Sequence, residues 1–302
     1  MTQDLTLCVR EYVRSWPWIP AVALVCALAV SIVALRFNAP VVLTIFAAAG
    51  CLVCAFVWGY TAHLAREFPR LHGLRRSQYS AVWDSLSVTA DGAAFAATGF
   101  SDESSLQTSG KQVATRIAVA ISLKASDDVL EIGCGVGRVG WAIAPECSSW
   151  IGCDISKAML SHAQRRLAGL SNVRFAHLRE ANLAEIPDAS VDVVYCTNML
   201  AHLDQMERWQ YVMEAHRVLR PSGRLYVDTI ALDSPEGWAM LANNLEQRRS
   251  GVEAPYIPIP SSPDELISYS NRAGFAASQT ERRDSLLIVT AVKDATANRS
   301  TS

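Results

Sequence analysis

Hydrophobic and polar positions follow a repeating pattern from about residue 111 onwards, in which short apolar runs alternate with longer amphipathic stretches. Runs of strand length bounded by Gly, Pro, Asp or Asn predict buried strands, and apolar residues spaced three and four apart predict helices. Strands are expected at residues 128–132, 150–153, 173–177, 191–196, 224–230, 276–281 and 286–291. Helices are expected at residues 111–122, 138–144, 156–167, 205–219, 236–249 and 264–272, with Ser156 as a helix N-cap.

Strands that alternate with helices in this way predict an α/β fold with a doubly wound, mostly parallel, seven-stranded Rossmann-like sheet. The last two strands are close enough in sequence to pair antiparallel at an edge. Residues 220–223 are expected to form a turn before the fifth strand, and residues 81–110 to form short helices and loops. Ligands of such sheets bind at the carboxyl ends of the strands.

Two runs without charged residues precede this domain, at about residues 16–35 and 40–60. Each is close to the ~20 residues that cross a bilayer, so the pattern predicts a two-helix transmembrane hairpin. Arginines lie before the first run and after the second, and only Arg36 lies between them, which places both ends of the hairpin in the cytoplasm. Two other interpretations stay open: a cleaved signal peptide ending near Leu35, and a buried hairpin in a soluble core.

The chain therefore divides into five predicted segments. Residues 1–15 form a cytoplasmic tail, residues 16–60 the membrane hairpin, and residues 61–108 a basic juxtamembrane linker and lead-in segment. Residues 109–293 form the α/β domain, and residues 294–302 a disordered tail. The chain is therefore predicted to be an integral membrane protein whose α/β domain faces the cytoplasm.

The overall charge argues against nucleic acid as a partner. Lysine and arginine number 27 and aspartate and glutamate 29, for a net charge of −2, so the chain has no basic excess. His162, His177 and His216 share no metal-ligand spacing, and a metal site is not expected.

A glycine-rich turn directly follows the first predicted strand, and it can be read in two registers. Gly135, Gly137 and Gly140 satisfy the G-x-G-x-x-G pattern of dinucleotide-binding folds, with Asp154 about twenty residues further on. In that pattern the first glycine makes the strand-to-helix turn itself, whereas here Gly133 already ends the strand. Counting from Glu131 gives E-x-G-x-G-x-G, with an acidic residue two positions before the first glycine.

The second register resembles the first motif of the class I S-adenosylmethionine-dependent methyltransferases, in particular the type-11 group. Four further segments resemble this family in the same order: GCDISKAML (152–160), AEIPDASVDVVYC (184–196), HRVLRPSGRLYV (216–227) and PDELISYSNRAGF (263–275). The resemblance covers roughly residues 110–293. It implies S-adenosylmethionine as cofactor and methyl transfer as activity.

The resemblance also implies which residues hold the cofactor. Asp154 would accept hydrogen bonds from both ribose hydroxyls, and Glu131 would help to organise the amino end of the methionine moiety. The family's aspartate after the third strand is missing here, and either Asn182 or Glu180 can accept from the adenine amine, with Asn182 preferred. The complete predicted set is Glu131, Gly133, Cys134, Gly135, Gly137, Asp154, Ile155, Asn182, Leu183, Thr197 and Asn198.

Residues after the fourth strand are expected to line the gap between the sulfonium and the methyl acceptor. His202 is the candidate general base for a hydroxyl acceptor, because the ordinary pKa of a histidine lies near working pH; it could equally serve only to pack. A membrane anchor favours a lipid-linked or membrane-resident acceptor over a soluble small molecule. Two rival functions remain: a membrane oxidoreductase that uses NAD(P), and a non-catalytic protein that binds S-adenosylmethionine.

Overall fold

Seven strands form one mixed sheet in the computed structural model, which describes residues 78–249 and 257–295. The strands are β1 (Asp128–Ile132), β2 (Ser149–Asp154), β3 (Val173–His177), β4 (Val191–Thr197), β5 (Leu219–Ile230), β6 (Phe275–Arg283) and β7 (Leu286–Lys293). Their order across the sheet is β3-β2-β1-β4-β5-β7-β6. The first five strands pair in parallel, and β7 pairs antiparallel with both β5 and β6. The predicted mostly parallel sheet with an antiparallel edge is confirmed.

Eight α-helices accompany the sheet in the described part of the chain. They are α1 (Tyr79–Leu86), α2 (Ala90–Thr98), α3 (Glu103–Ile121), α4 (Gly140–Ile143), α5 (Lys157–Arg166), α6 (Gln205–Val218), α7 (Pro235–Arg249) and α8 (Pro263–Ala273). Short 3-10 helices cover Ala144–Glu146 and Leu200–His202.

Alternate side chains of the central strands point into two separate apolar clusters, one on each face of the sheet. On β1, Leu130 and Ile132 belong to the cluster that includes α6 and α8 residues, while Val129 belongs to the cluster that includes α3 and α5 residues. Successive side chains of a strand point to opposite faces, so a fully apolar strand can serve two layers of helices. The doubly wound arrangement follows from this pattern.

The sequence located several elements closely, while others differ, among them α3, which begins at Glu103 and not at residue 111. Ser156 caps α5 as predicted, because its hydroxyl accepts the N–H of Met159 at 3.1 Å. The turn predicted at residues 220–223 is wrong: these residues lie within β5, as an irregularity where Leu219 pairs with Val191 and Arg224 with Val193. The helix predicted at residues 138–144 is shorter in the structure, where α4 covers only Gly140–Ile143. It is followed by a 3-10 turn that contains Pro145. A proline has no N–H to continue an α-helix.

The compact unit that contains the sheet spans Gly73–Ser302, and the predicted domain start at residue 109 falls inside α3. The predicted hairpin at 16–60, the tail at 1–15 and the first part of the 61–108 linker lie outside the described residues, as does most of the tail at 294–302. None of the helices described is both long and apolar enough to cross a membrane.

Candidate functional site

A cleft opens at the carboxyl ends of β1, β2 and β4, and it consists of two adjoining cavities. The first, which we call the apolar cavity, measures about 720 Å³ out to open solvent. It is lined by Tyr79, Trp83, Ala97, Gly133, Gly135, Asp154, Ile155, Met159, Leu178, Thr197, Asn198, Met199, His202, Leu203 and Tyr211. The second, which we call the polar cavity, measures about 590 Å³ out to open solvent, and its lining includes Glu131, Arg138 and Ser109. Gly133, Gly135, Thr197 and Asn198 line both, so they mark the junction.

The glycine-rich turn forms the floor of this junction. Gly133, Gly135 and Gly137 have φ angles of 71°, 52° and 74°, in the left-handed region that favours glycine. A Cβ on Gly133 would lie 2.6 Å from the Met199 side chain, and one on Gly137 would lie 2.6 Å from Leu167, so both positions are tightly packed. A Cβ on Gly135 would meet only Ala97, at 3.6 Å. Of these three, Gly135 is therefore the one with room for a ligand, and Gly137 serves the packing of α5.

Asp154 lies at the end of β2, directly over the turn. Its Oδ2 accepts the N–H of Gly135 at 2.8 Å, and its Oδ1 accepts the N–H of Ser156 at 2.9 Å. Burial raises the pKa of Asp154 to about 6, against the lowering effect of these backbone hydrogen bonds. Each carboxylate oxygen has a second lone pair, so the group can still accept from a pair of hydroxyls in the cavity.

The contact between Asp154 and Gly135 argues against a diphosphate at this turn. In a dinucleotide site, backbone N–H groups of the turn and the start of a following helix face the pyrophosphate. Here the Gly135 amide already binds a carboxylate, which would repel a second anion. The helix that follows, α4, has only four residues.

Glu131 contributes a buried carboxyl group to the polar cavity. Tyr195 donates its hydroxyl to Glu131 Oε2 at 2.6 Å and accepts the indole N–H of Trp150 at 3.0 Å. Burial raises the pKa of Glu131 to about 8, and the attraction of Arg138 only partly offsets this. The carboxyl group of Glu131 therefore holds its proton more tightly than an exposed glutamate does, and a cationic ligand beside it would favour its ionised form.

Arg138 is a site residue that the sequence reasoning missed. It lines the polar cavity, burial lowers the pKa of its guanidinium, and it makes no ion pair or side-chain hydrogen bond with any described residue. The nearby carboxyl groups of Glu131 and Asp228 act against this lowering of the pKa of Arg138, but neither forms an ion pair with it. The polar cavity thus offers a cation for a carboxylate and an ionisable carboxyl for an ammonium.

Thr197 and Asn198, both predicted, end β4 at the junction. Asn198 has a φ of 54°, and its N–H donates to Asp228 Oδ1 at 2.9 Å. Asp228 is buried and also accepts from Arg116 and from the hydroxyl of Tyr226, both at 3.0 Å. This network fixes the turn, and Asp228 lies too far along the sequence for the local pattern to have revealed it.

Helix α1 forms one wall of the apolar cavity. Tyr79 donates its hydroxyl to Glu207 of α6, and the ring of Trp83 packs edge-on against His202 with centroids 4.9 Å apart. Asp84 accepts the Ser156 hydroxyl at 2.6 Å and the Ala158 N–H at 3.2 Å. These contacts hold α1 against α5 and α6, and they bring the predicted His202 together with aromatic residues that the sequence reasoning did not assign to the site.

Asn182 and Leu183 are not among the residues that line the two cavities. The Asn182 side chain accepts the N–H of Ala184 at 3.1 Å, and its amide donates to Glu180 at 3.2 Å. Leu183 is fully buried, and its N–H donates to Glu214. Leu178 lies on the cavity wall instead, so the structure offers an apolar surface where the sequence suggested a polar contact.

The two cavities together suit a ligand with three distinct parts. The polar cavity suits a zwitterionic end, Asp154 suits a pair of hydroxyls, and Ile155 and Leu178 suit a flat apolar ring. Among residues 78–249 and 257–295, no group of three or more His, Cys, Asp or Glu side chains is placed to hold a metal ion.

Residues 129–223 match a family model described as a methyltransferase domain. The chain is 31% identical over 185 residues to 27-O-demethylrifamycin SV methyltransferase of Amycolatopsis mediterranei, covering 60% of this chain and 65% of that protein. It is 40% identical over 107 residues to a protein of Mycolicibacterium smegmatis named as a probable S-adenosylmethionine-dependent methyltransferase, covering 35% and 38%. The chain thus spans less than two thirds of either relative.

Among solved structures, the YcgJ protein of Bacillus subtilis superimposes with a TM-score of 0.50 at 19% sequence identity. The match covers 61% of this chain and 98% of that protein. At this identity the likeness supports the fold alone.

Proposed function

We propose that this chain is a membrane-anchored S-adenosylmethionine-dependent methyltransferase. The observation that carries the proposal is the arrangement around Asp154: its carboxylate lies over Gly135, between a polar cavity and an apolar one. S-adenosylmethionine has a zwitterionic amino acid, a ribose diol and an adenine in the order that these three regions require. The matched methyltransferase domain and the relative named for this cofactor agree with that fit.

The residues of the chain divide the work of binding. Arg138 and Glu131 would hold the carboxylate and the ammonium, Asp154 the two ribose hydroxyls, and Ile155 with Leu178 the adenine. When bound, the cofactor supplies an electrophilic methyl group on a sulfonium. Thr197 and Asn198, at the junction of the cavities, then lie where they can exclude water from the reacting atoms.

His202 lies on the acceptor side of the apolar cavity and is proposed as the general base. The packing of Trp83 against its ring fixes its orientation. For a hydroxyl acceptor, His202 would take the proton as the oxygen gains the methyl group, a contribution of typically 10²–10⁴-fold. Positioning of the acceptor supplies the rest of the acceleration.

The proposed location is the membrane, with the methyltransferase domain facing the cytoplasm. Support comes from the two charge-free runs at about residues 16–35 and 40–60 and from the arginines that flank them. An anchored domain samples only the bilayer surface, which favours a lipid-linked or membrane-resident acceptor. The relative from Amycolatopsis mediterranei is named for a 27-O-demethyl substrate, which supports oxygen as the methylated atom.

The two rival functions receive less support. An NAD(P) enzyme would need a diphosphate beside the Gly135 amide, where the Asp154 carboxylate already lies. A non-catalytic binding protein would not need the apolar cavity beyond the cofactor region.

Calorimetry with S-adenosylhomocysteine and with NADH tests the cofactor assignment. We expect S-adenosylhomocysteine to bind and NADH not to bind. Asp154→Ala should weaken binding about 10- to 100-fold, because charge-assisted hydrogen bonds contribute about 1.5–3 kcal/mol. Asp264→Ala, which removes an exposed carboxylate on α8, is the matched control and should leave the affinity unchanged. Equal affinity in the Asp154→Ala and Asp154→Asn variants and the parent chain would reject the assignment.

A further inference from the structure

The acceptor side of the apolar cavity remains after the cofactor region is set aside. Asp154, Ile155 and Leu178 belong to the cofactor region under the proposed function. The remaining large side chains of the wall are Tyr79, Trp83, Met159, Met199, His202, Leu203 and Tyr211. Three of these seven are Tyr or Trp, and Met and Leu complete an apolar surface.

We propose that the methyl acceptor is an uncharged phenol, with its ring against Trp83 and Tyr79 and its hydroxyl facing His202 and Tyr211. The proposal rests on the proposed function, because it names the substrate class of the same cleft. Three observations carry it: the rigid aromatic wall, the shortage of charge in that wall, and the hydroxyl of Tyr211.

The aromatic wall is held in place by contacts with α6 and with the neighbouring His202. Tyr79 is tied through its hydroxyl to Glu207, and Trp83 is fixed at 83° to the His202 ring. Glu207 is itself fixed, since it accepts the N–H of Asp204 in the capping box of α6. Aromatic rings held in this way favour offset or edge-to-face contact with another flat ring, worth about 0.5–1.5 kcal/mol beyond area burial.

The shortage of charged side chains in this wall excludes anionic methyl acceptors. Among the residues that line the apolar cavity, Asp154 and His202 are the only Asp, Glu, Lys, Arg or His, and Asp154 belongs to the cofactor region. A carboxylate or phosphate acceptor would lose its water here without a cationic partner in the wall. Burial of an unpaired charge is strongly unfavourable, so a neutral acceptor fits and an anionic one does not.

Tyr211 supplies a hydroxyl that the fold itself does not use. The residue is 4% exposed and lines the cavity, and its hydroxyl makes no hydrogen bond with the residues described. Burial raises the pKa of Tyr211, and the nearby charge of Asp154 adds to this effect. The hydroxyl therefore stays protonated and can donate a hydrogen bond. A hydroxyl that opens into the cavity without a protein partner is free to donate to a polar atom of a ligand.

The acidity of the acceptor selects a phenol over an aliphatic alcohol. A phenol has a pKa near 10, like tyrosine, which is low enough for proton transfer to an imidazole, whereas the pKa of an aliphatic alcohol is far higher. In the step, the O–H proton passes to His202, the oxygen forms a bond to the methyl carbon, and the carbon–sulfur bond breaks to leave a neutral thioether. The Tyr211 hydroxyl would donate to the same oxygen as negative charge develops on it.

A matched set of bicyclic probes tests this assignment on the full chain, loaded with S-adenosylhomocysteine for binding and with labelled S-adenosylmethionine for transfer. The probes are 2-naphthol, the saturated alcohol decahydro-2-naphthol and the anionic 6-hydroxy-2-naphthoate. We expect 2-naphthol to bind at least about tenfold more tightly than either of the others and to be methylated on oxygen. Equal binding of the saturated or the anionic probe would overturn the proposal.

A variant then locates the phenol oxygen. Tyr211→Phe should weaken the binding of 2-naphthol about 3- to 10-fold, as expected for one lost hydrogen bond. It should leave the affinity for S-adenosylhomocysteine unchanged. Tyr269→Phe, which removes a hydroxyl bonded to Glu265 and lies outside the cavity lining, should change neither affinity. Failure of the parent chain to bind S-adenosylhomocysteine would reject the proposed function. Normal cofactor binding without preference for 2-naphthol would reject the phenol alone.

Discussion

At the scale of single residues, the site depends on carboxyl groups whose surroundings change their acidity. Burial raises the pKa of Glu131 from 4.5 to about 8, and that of Asp154 from 3.8 to about 6. Both groups would bind a ligand in the ionised form, one through an ammonium and the other through hydroxyl donors. Ligand binding should therefore release protons, and affinity should rise with pH up to about 8.

The affinity for S-adenosylhomocysteine should tighten between pH 6.5 and 8, by at most about tenfold for each pH unit. Glu131→Gln removes the titrating group, so the affinity of this variant for S-adenosylhomocysteine should become nearly independent of pH above 7. The pH dependence caused by Asp154 should remain below about pH 6. Calorimetry across this range measures both. A parallel pH dependence in Glu131→Gln and the parent chain would contradict the assignment.

The same carboxyl group has an effect on stability with a definite sign. Because the pKa of Glu131 is raised on folding, the folded chain binds more protons than the unfolded chain between about pH 4.5 and 8. Its contribution to stability is fully present below about 4.5 and is lost as pH rises through 8.

At the scale of elements, Arg208 of α6 connects the pieces that surround His202. It is 2% exposed and donates to the carbonyl oxygens of Leu200 and Ile259, each at 2.8 Å. It also donates to Ser261 at 2.8 Å and pairs with Glu265 of α8 at 3.1 Å. One side chain therefore joins the 3-10 turn of His202, the segment before α8, and α8 itself.

Arg208→Leu should lower the free energy of unfolding by about 3–5 kcal/mol, because the variant leaves Glu265 and two carbonyl groups without their partner. Urea unfolding of the full chain in one detergent-containing buffer, followed by tryptophan fluorescence, measures the change. Arg272→Leu, at an exposed position on α8, is the control and should lower the free energy of unfolding by less than about 0.5 kcal/mol. A loss below about 1 kcal/mol for Arg208→Leu would show that the connection contributes little.

The elements themselves were largely predictable, because helix and strand periods are local properties. Residues 128–132 and 173–177 are strands as predicted, and Ser156 is the N-cap of α5. The exceptions have physical causes. Arg220–Gly223 has the composition of a turn, yet the chain passes through it as a bulge with Ser222 at a φ of 64° and continues pairing with β4. Helix α3 starts at Glu103, earlier than predicted, because Asp102 caps it.

At the scale of the whole molecule, the proposed anchor and the proposed phenol acceptor complement each other. An apolar, uncharged acceptor concentrates in a bilayer, and a domain anchored beside that bilayer meets it at high effective concentration. Neither inference depends on the other, since one rests on residues 16–60 and the other on the cavity wall.

The anchor predicts that the full chain stays with membranes after a carbonate wash. Val25→Lys combined with Val53→Lys should release it into the supernatant, because a lysine at the centre of a transmembrane helix costs about 2.5–3.5 kcal/mol. Val119→Lys, at a position 72% exposed on α3, is the control and should stay in the pellet. Recovery of the parent chain in the supernatant of the carbonate wash would contradict the proposed membrane anchor.

The sequence by itself determined the order of strands and helices, the register of the glycine turn and the position of Asp154 at the end of a strand. Each of these follows from neighbours within a few residues, through backbone hydrogen bonds, side-chain periodicity and the freedom of glycine. Only the tertiary structure decided that Tyr79, Trp83 and Tyr211 share one wall, that Arg138 faces Glu131, and that Leu178 replaces Asn182 at the cavity. These depend on burial and on contacts between residues far apart in the chain, which no local pattern encodes.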